Sequence, residues 1–278
     1  MGTSETGYQL GSDPIELERL NRQGRVLAPA TRTILEAAGI RSGMRVLDLG
    51  SGMGDMSFVA AELVGPAGEV VGIDLSPEPV AKAGLRARQK GLGNVRFMVG
   101  DIHDPAPGGP YDAIIGRLVL MYVRDPAAVL RTQAGLLKAG GLVVPIEFDI
   151  YSARALPSTP LVSQALQWLS EAFMRSGIEP ALGPRLWALL LEAGLRPLAM
   201  MGVQPHFGPD DPDGAYILAG IVRTVAPLME RTGVATTAEV GPDTFEKRLS
   251  DDLAASEAVF AHPMLMSAWA TNDQARLA

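Results

Sequence analysis

Through the middle of the chain, short apolar runs alternate with longer stretches whose apolar residues recur every three to four positions. The runs are Arg45–Leu49, Glu69–Asp74, Asn94–Val99, Tyr111–Gly116 and Leu142–Ile146, the last with Glu147 at its end. They are short and β-branched or leucine-rich, as strands buried in a parallel sheet are. Met56 to Val64 has helical spacing, Ser76-Pro77 opens a helix that ends near Gly91, and Asp125-Pro126 opens one that runs to Lys138 and stops at Gly140-Gly141. This alternation predicts an α/β chain with a mostly parallel sheet and flanking helices.

The flanks follow other patterns. Asp13-Pro14-Ile15-Glu16 is a helix start, with Ile15, Leu17, Leu20 and Val26 on one side, and a second short helix spans about Ala30 to Ala38. After Tyr151, Leu161, Ala165, Leu169 and Phe173 step at i+4 beside Val162, Leu166 and Trp168, a wide apolar face on one helix. Pro184 to Ala193 reads as a further helix and Pro197 to His206 as a strand. A helix from Ala215 is interrupted at Pro227, and another begins at Asp243 and Glu246 and runs to about Phe260. Met264 to Thr271 reads as the last strand. The chain divides into residues 1–40, 41–150 and 151–278 of one continuous domain.

Asp48-Leu49-Gly50-Ser51-Gly52-Met53-Gly54 follows the first strand, and Asp74 ends the second, twenty residues after Gly54. A strand, a glycine turn, a helix and an acid-ended strand make the core of a nucleotide-binding unit. The third glycine is misplaced for the dinucleotide fingerprint Gly-x-Gly-x-x-Gly. The segment resembles motif I of the S-adenosylmethionine-dependent methyltransferases with a Rossmann-like fold. The resemblance implies a seven-stranded sheet, a helical N-terminal lid, helical insertions after strands five and six, and S-adenosylmethionine as cofactor. It places Asp48, Gly50, Ser51, Gly52 and Gly54 in the cofactor loop, and Asp74 with Leu75 at the ribose. Asp101 and Ile102 come at the adenine, and Arg117 at the methionine end. Tyr8, Arg19, Gln23, Leu118 and Trp168 fall to the lid and substrate pocket.

Composition narrows the partners. A net charge of −7 gains nothing from phosphate counterion release, so nucleic acid is not expected. The absence of cysteine excludes thiolate metal sites and a thiol nucleophile, and the three scattered histidines make no metal set. No stretch of about twenty apolar residues spans a membrane. Glu5 and Asp13 do not suit a signal peptide, so a cytoplasmic protein is expected. A homo-oligomer stays open.

A sulfonium methyl is already activated, so the protein must align the nucleophile, exclude water and, for some acceptors, take a proton. Glu147, His206 and Tyr122 are the candidates for that catalytic work. Glu147 has a competing reading as the partner of Arg117 or Arg154, Tyr122 one as a core aromatic, and His262 reads as a helix-end residue. The expected acceptor is a small, largely apolar or aromatic molecule of secondary metabolism, methylated on carbon, for example indole. O- or N-methylation, an NAD(P)-dependent oxidoreductase and a non-catalytic S-adenosylmethionine-binding protein are the alternatives.

Overall fold

The computed structural model describes residues 14–272, with side chains from residue 22 onward. Seven strands form the main sheet: β1 (Arg45–Leu49), β2 (Glu69–Asp74), β3 (Val95–Val99), β4 (Tyr111–Arg117), β5 (Leu137–Asp149), β7 (Arg196–Val203) and β10 (Met264–Thr271). Their order is β3-β2-β1-β4-β5-β10-β7, and only β10 runs antiparallel to its neighbours. Chain order reverses between β1 and β4. In an open α/β sheet that is where a crevice opens at the carboxyl ends of the strands. A second sheet joins β6 (Arg154–Leu156), β9 (Val259–Ala261) and β8 (His206–Phe207).

Nine α-helices are described: α1 (Pro14–Ala38), α2 (Asp55–Val64), α3 (Pro77–Gln89), α4 (Pro126–Ala134), α5 (Pro160–Arg175), α6 (Leu182–Glu192), α7 (Pro212–Arg231), α8 (Thr237–Val240) and α9 (Pro242–Ala255). Among them no helix is long and apolar enough to cross a membrane. Helix α1 packs on α2 and on β5, β10 and β7, while α5, α7 and α9 pack together beyond β5.

Prolines mislead the sequence reading twice. The two short N-terminal helices are one helix that runs through Pro29, and α7 runs unbroken through Pro227. A helix-interior proline costs about 3 kcal/mol. Leu27, Ile34 and Leu35 of α1 are completely buried, at about 1.5–3 kcal/mol each, which outweighs that cost. Val222, Val225, Ala226 and Met229 do the same around Pro227.

Two helix ends also differ. Helix α4 stops at Ala134, and β5 starts at Leu137 and runs through Gly140-Gly141, because Leu137 is drawn into register opposite the fully buried Tyr111. Helix α9 stops at Ala255. Glu257 turns left-handed (φ 46°), and Val259 to Ala261 pair as β9 instead of extending the helix.

Strand β5 continues past Glu147, which is buried within it opposite Met266 of β10. Its Oε1 accepts hydrogen bonds from the amides of Val119 (3.1 Å) and Leu120 (2.8 Å). The Leu118 amide donates to the Ile146 carbonyl at 2.8 Å. Leu118 is held left-handed (φ 57°), which is strained for a side chain of its size. These bonds turn the chain after β4 into the 3₁₀ turn Leu120–Tyr122. Neither Arg117 nor Arg154 forms an ion pair with Glu147 among the described residues; Arg117 donates to Thr31 Oγ1 and Arg154 to the Ser152 carbonyl.

Burial, opposed in part by the amide hydrogen bonds, pushes the Glu147 carboxyl up to about 8. The folded chain therefore keeps a proton that the unfolded chain releases above its ordinary value of 4.5. The stability this provides is complete below that value and is lost as pH rises to about 8, by up to about 1.4 kcal/mol per pH unit. Denaturant titrations between about pH 7 and about pH 8.5 should show stability falling in the wild type and falling less in Glu147→Gln. At about pH 7, Glu147→Ala should cost at least about 2 kcal/mol, because two amides lose their acceptor, while Glu147→Gln stays near wild type. Equal pH slopes for wild type and Glu147→Gln would remove the protonated brace.

Candidate active site

One cavity of about 480 Å³ opens at the carboxyl ends of β1, β2 and β4. Its polar half begins at the loop after β1. Gly50 and Gly52 have φ of 61° and 51°, where only glycine is unstrained. A Cβ on Gly50 would lie 2.4 Å from Val119 Cγ2, so the loop and the braced segment touch there. A Cβ on Gly52 would meet nothing within 4 Å, so the loop presents bare backbone to the cavity.

Asp74 Oδ2 accepts from the Gly52 amide and Oδ1 from the Ser76 amide, each at 2.9 Å. The carboxylate is thereby fixed against the loop, with its remaining lone pairs open to hydroxyl donors. Asp101 accepts from the His103 amide (2.9 Å) and ring Nδ1 (2.7 Å), and the amide bond first holds its carboxyl below the usual range. Ser57 Oγ donates to Asp48 Oδ2 at 2.5 Å, while Asp48 Oδ1 and Ser51 Oγ are buried without partners among the described residues. Burial raises the Asp48 carboxyl to about 7. Arg117 donates to Thr31 Oγ1 at 2.8 Å, and that hydroxyl donates in turn to the Leu27 carbonyl. Orphaned acceptors, a fixed carboxylate and an arginine around bare backbone fit the cationic, hydroxyl-rich S-adenosylmethionine.

The other half of the cavity is apolar. Leu166, Leu169 and Phe173 of α5 and Leu218, Ile221 and Val225 of α7 line it, each set at i, i+3, i+7. Phe148, Ile150, Phe260 and His262 close it from the sheet side. Helix α1 reaches the rim with Gln23 and Gly24; a Cβ on Gly24 would lie 2.5 Å from Asp55 Cγ, so the helix seats directly on the start of α2.

The cavity brings together Asp48, Gly50, Ser51, Gly52, Asp74, Leu75, Asp101, Ile102, Arg117, Leu118, Tyr122 and Gln23 from the expected set. Gly54 stands behind them as the N-cap of α2, where a Cβ would strike Phe97 and Phe58. Besides Gly54, three expected residues among those described do not line the cavity. Glu147 is sealed under the loop it braces. His206 is exposed on β8, with Nδ1 on the Gln204 carbonyl. Trp168 turns away from the cavity-facing stripe of α5 and packs beside Phe245, centroids 6.4 Å apart. Tyr8 and the Arg19 side chain lie outside the described residues.

The residue that sequence reasoning misplaced is His262. It follows β9, not a helix, and it lines the apolar half at 1% exposure. Nδ1 sits 2.9 Å from the Pro263 carbonyl, which fixes the N–H there and leaves Nε2 as an acceptor. Nε2 is buried with no partner among the described residues, at a cost of about 1–3 kcal/mol. Burial pushes the ring down to about 4, so it is neutral at neutral pH. The signal was Val259-Phe260-Ala261, a run as suited to a strand as to a helix end.

Comparison with known proteins gives the family. A methyltransferase-domain family matches residues 40–177. Aklanonic acid methyltransferase DauC of Streptomyces sp. (strain C5) is 33% identical over 159 residues, 53% of this chain and 72% of that one. The ubiquinone/menaquinone biosynthesis C-methyltransferase UbiE of Pseudomonas putida (strain F1) is 33% identical over 145 residues; the match covers 51% of this chain and 54% of UbiE. A SAM-dependent methyltransferase structure from Aquifex aeolicus superposes with a TM-score of 0.53 at 22% identity, covering 69% of this chain and 93% of the other. The chain belongs to the S-adenosylmethionine-dependent methyltransferases with a Rossmann-like fold.

Proposed function

We propose that this methyltransferase acts on a small, largely apolar aromatic molecule of secondary metabolism, held in the arm between α5 and α7. One observation carries the reading: the cofactor loop and the apolar arm are halves of a single cavity. Bound S-adenosylmethionine supplies an electrophilic methyl group on a sulfonium. Asp74 would take the ribose hydroxyls, Asp101 and Ile102 the adenine, and Arg117 the methionine carboxylate. The aliphatic and aromatic lining excludes water and holds a flat acceptor for in-line attack. Apart from His262 the arm is apolar, and Arg117, on the cofactor side, is the cavity's single Lys or Arg among the described residues. That supports an uncharged acceptor over a phosphorylated one. Transfer to carbon is the reading carried forward, with indole as one member of the class, and O- or N-methylation is the alternative. S-adenosylhomocysteine formation across a panel of uncharged aromatics tests the reading, and product NMR identifies the atom methylated. Turnover confined to charged or phosphorylated acceptors would defeat it.

The halves should separate by mutation. Asp74→Ala should weaken S-adenosylmethionine binding at least about tenfold by calorimetry, the loss of a charge-assisted hydrogen bond. Ile221→Trp, at a half-buried position in the arm, should leave cofactor affinity within about twofold and depress kcat/KM for the acceptor by at least about tenfold. Cofactor binding that is unchanged in Asp74→Ala would remove Asp74 from the site.

We also propose that α1 is the lid. The ion pair of Arg22 with Asp213, and its guanidinium 4.0 Å over the Tyr216 ring, tie α1 to α7. Because Leu27 belongs to the core, the covering part of α1 is the part before it. Protection of residues 14–25 from proteolysis should rise on cofactor binding in the wild type and rise less in Arg22→Ala. Identical protection with and without cofactor in the wild type would end the lid reading.

A further inference from the structure

We infer that His262 selects the acceptor by accepting a hydrogen bond, at Nε2, from an O–H or N–H group on the acceptor's aromatic ring. The inference rests on the reading of the arm as an aromatic-acceptor site and goes beyond it by specifying the group that the acceptor must carry.

Four contacts fix His262. Its amide donates to the Pro205 carbonyl at 3.0 Å, and its carbonyl accepts from Gln204 Nε2 at 2.9 Å. Its Nδ1 is held by the Pro263 carbonyl, and the Phe148 ring stands edge-on at 5.3 Å. The Nδ1 bond and the Phe148 contact are the two that hold the ring itself, and they keep Nε2 in place. Phe207 and Phe260 surround it further, centroids 6.3 Å away, and they offer no donor. An imidazole so thoroughly positioned, with one nitrogen left orphaned beside a cavity, is an acceptor prepared for a ligand.

The arm makes this acceptor selective. The other arm-facing side chains named above are aliphatic or aromatic, so a second polar group on the acceptor would find no counterpart there. An acceptor without a donor would leave Nε2 orphaned, whereas one with a phenolic, enolic or indolic donor satisfies it. A site built to pair with a donor discriminates far more strongly than one that measures size alone. Because the ring is neutral, the preference does not depend on charge, and no proton needs to move for the contact to form.

The test uses the whole 278-residue chain with S-adenosylhomocysteine and shape-matched pairs: indole with indene, and 2-naphthol with naphthalene. His262→Phe keeps a ring in the aromatic cluster and removes the acceptor. In the wild type, at least one donor-bearing member should bind at least about tenfold more tightly than its partner, and His262→Phe should lose that preference. Long-range ¹H–¹⁵N spectra give an independent readout. The His262 Nε2 resonance should move on addition of indole or 2-naphthol and stay in place with indene or naphthalene. The two pairs distinguish the N–H source from the O–H source. Equal binding within both pairs, or a preference that survives in His262→Phe, overturns the inference and leaves the aromatic-acceptor reading standing. Failure of all four compounds to bind overturns both.

Discussion

The site depends on a carboxyl group that never touches it. Glu147 holds the amides of Val119 and Leu120 from inside β5, and that grip keeps Leu118 in a strained left-handed conformation. Once the chain is bent there, Val119 lies against the missing Cβ of Gly50, and Leu118 and Tyr122 face the cavity. A loop left to water would relax out of this shape, because bulky residues avoid positive φ. A buried acid opposes that relaxation at two amides. Kept neutral by its burial, it does so without the cost of an uncompensated charge.

Two different kinds of surface meet at this bend. On one side lie backbone amides, the carboxyl groups of Asp48, Asp55, Asp74 and Asp101, and the arginine Arg117. On the other, one face of α5 and one face of α7 supply aliphatic and aromatic side chains at the spacing of two helical turns. The join matters chemically. Methyl transfer asks little of acid or base and much of alignment and dryness, and a dry wall beside a polar cradle provides both. The acidic overall charge of the chain does not enter this arrangement, since the arm is apolar apart from one neutral imidazole.

That imidazole shows how a secondary feature of a fold becomes part of a site. The three short strands β6, β9 and β8 lie outside the main sheet, and two of their aromatic residues, Phe207 and Phe260, wall in His262. Stability alone would favour an apolar residue there, because an unpaired buried acceptor costs free energy. Its Nδ1 contact and the surrounding rings hold the imidazole at the cavity wall.

The sequence by itself determined the residues that line the polar half of the cavity. The loop from Asp48 to Gly54, the acids Asp74 and Asp101 and the five apolar strands are local patterns, set by backbone conformation and burial within a few residues. Arg117 and Leu118 belong with them, because they follow directly from a strand end. The tertiary structure alone decided the rest. Whether Pro29 and Pro227 break their helices depends on how many side chains those helices bury elsewhere. Whether Glu147 reaches the cavity or braces the loop depends on which way the chain turns after β4. His262 and His206 exchange the places expected of them because α9 stops at Ala255 and the next residues pair with β6 and β8, segments about 100 and about 50 positions earlier in the chain. Short strands of that kind have no periodicity strong enough to be read locally, since the pairing partner, not the residue pattern, makes them strands.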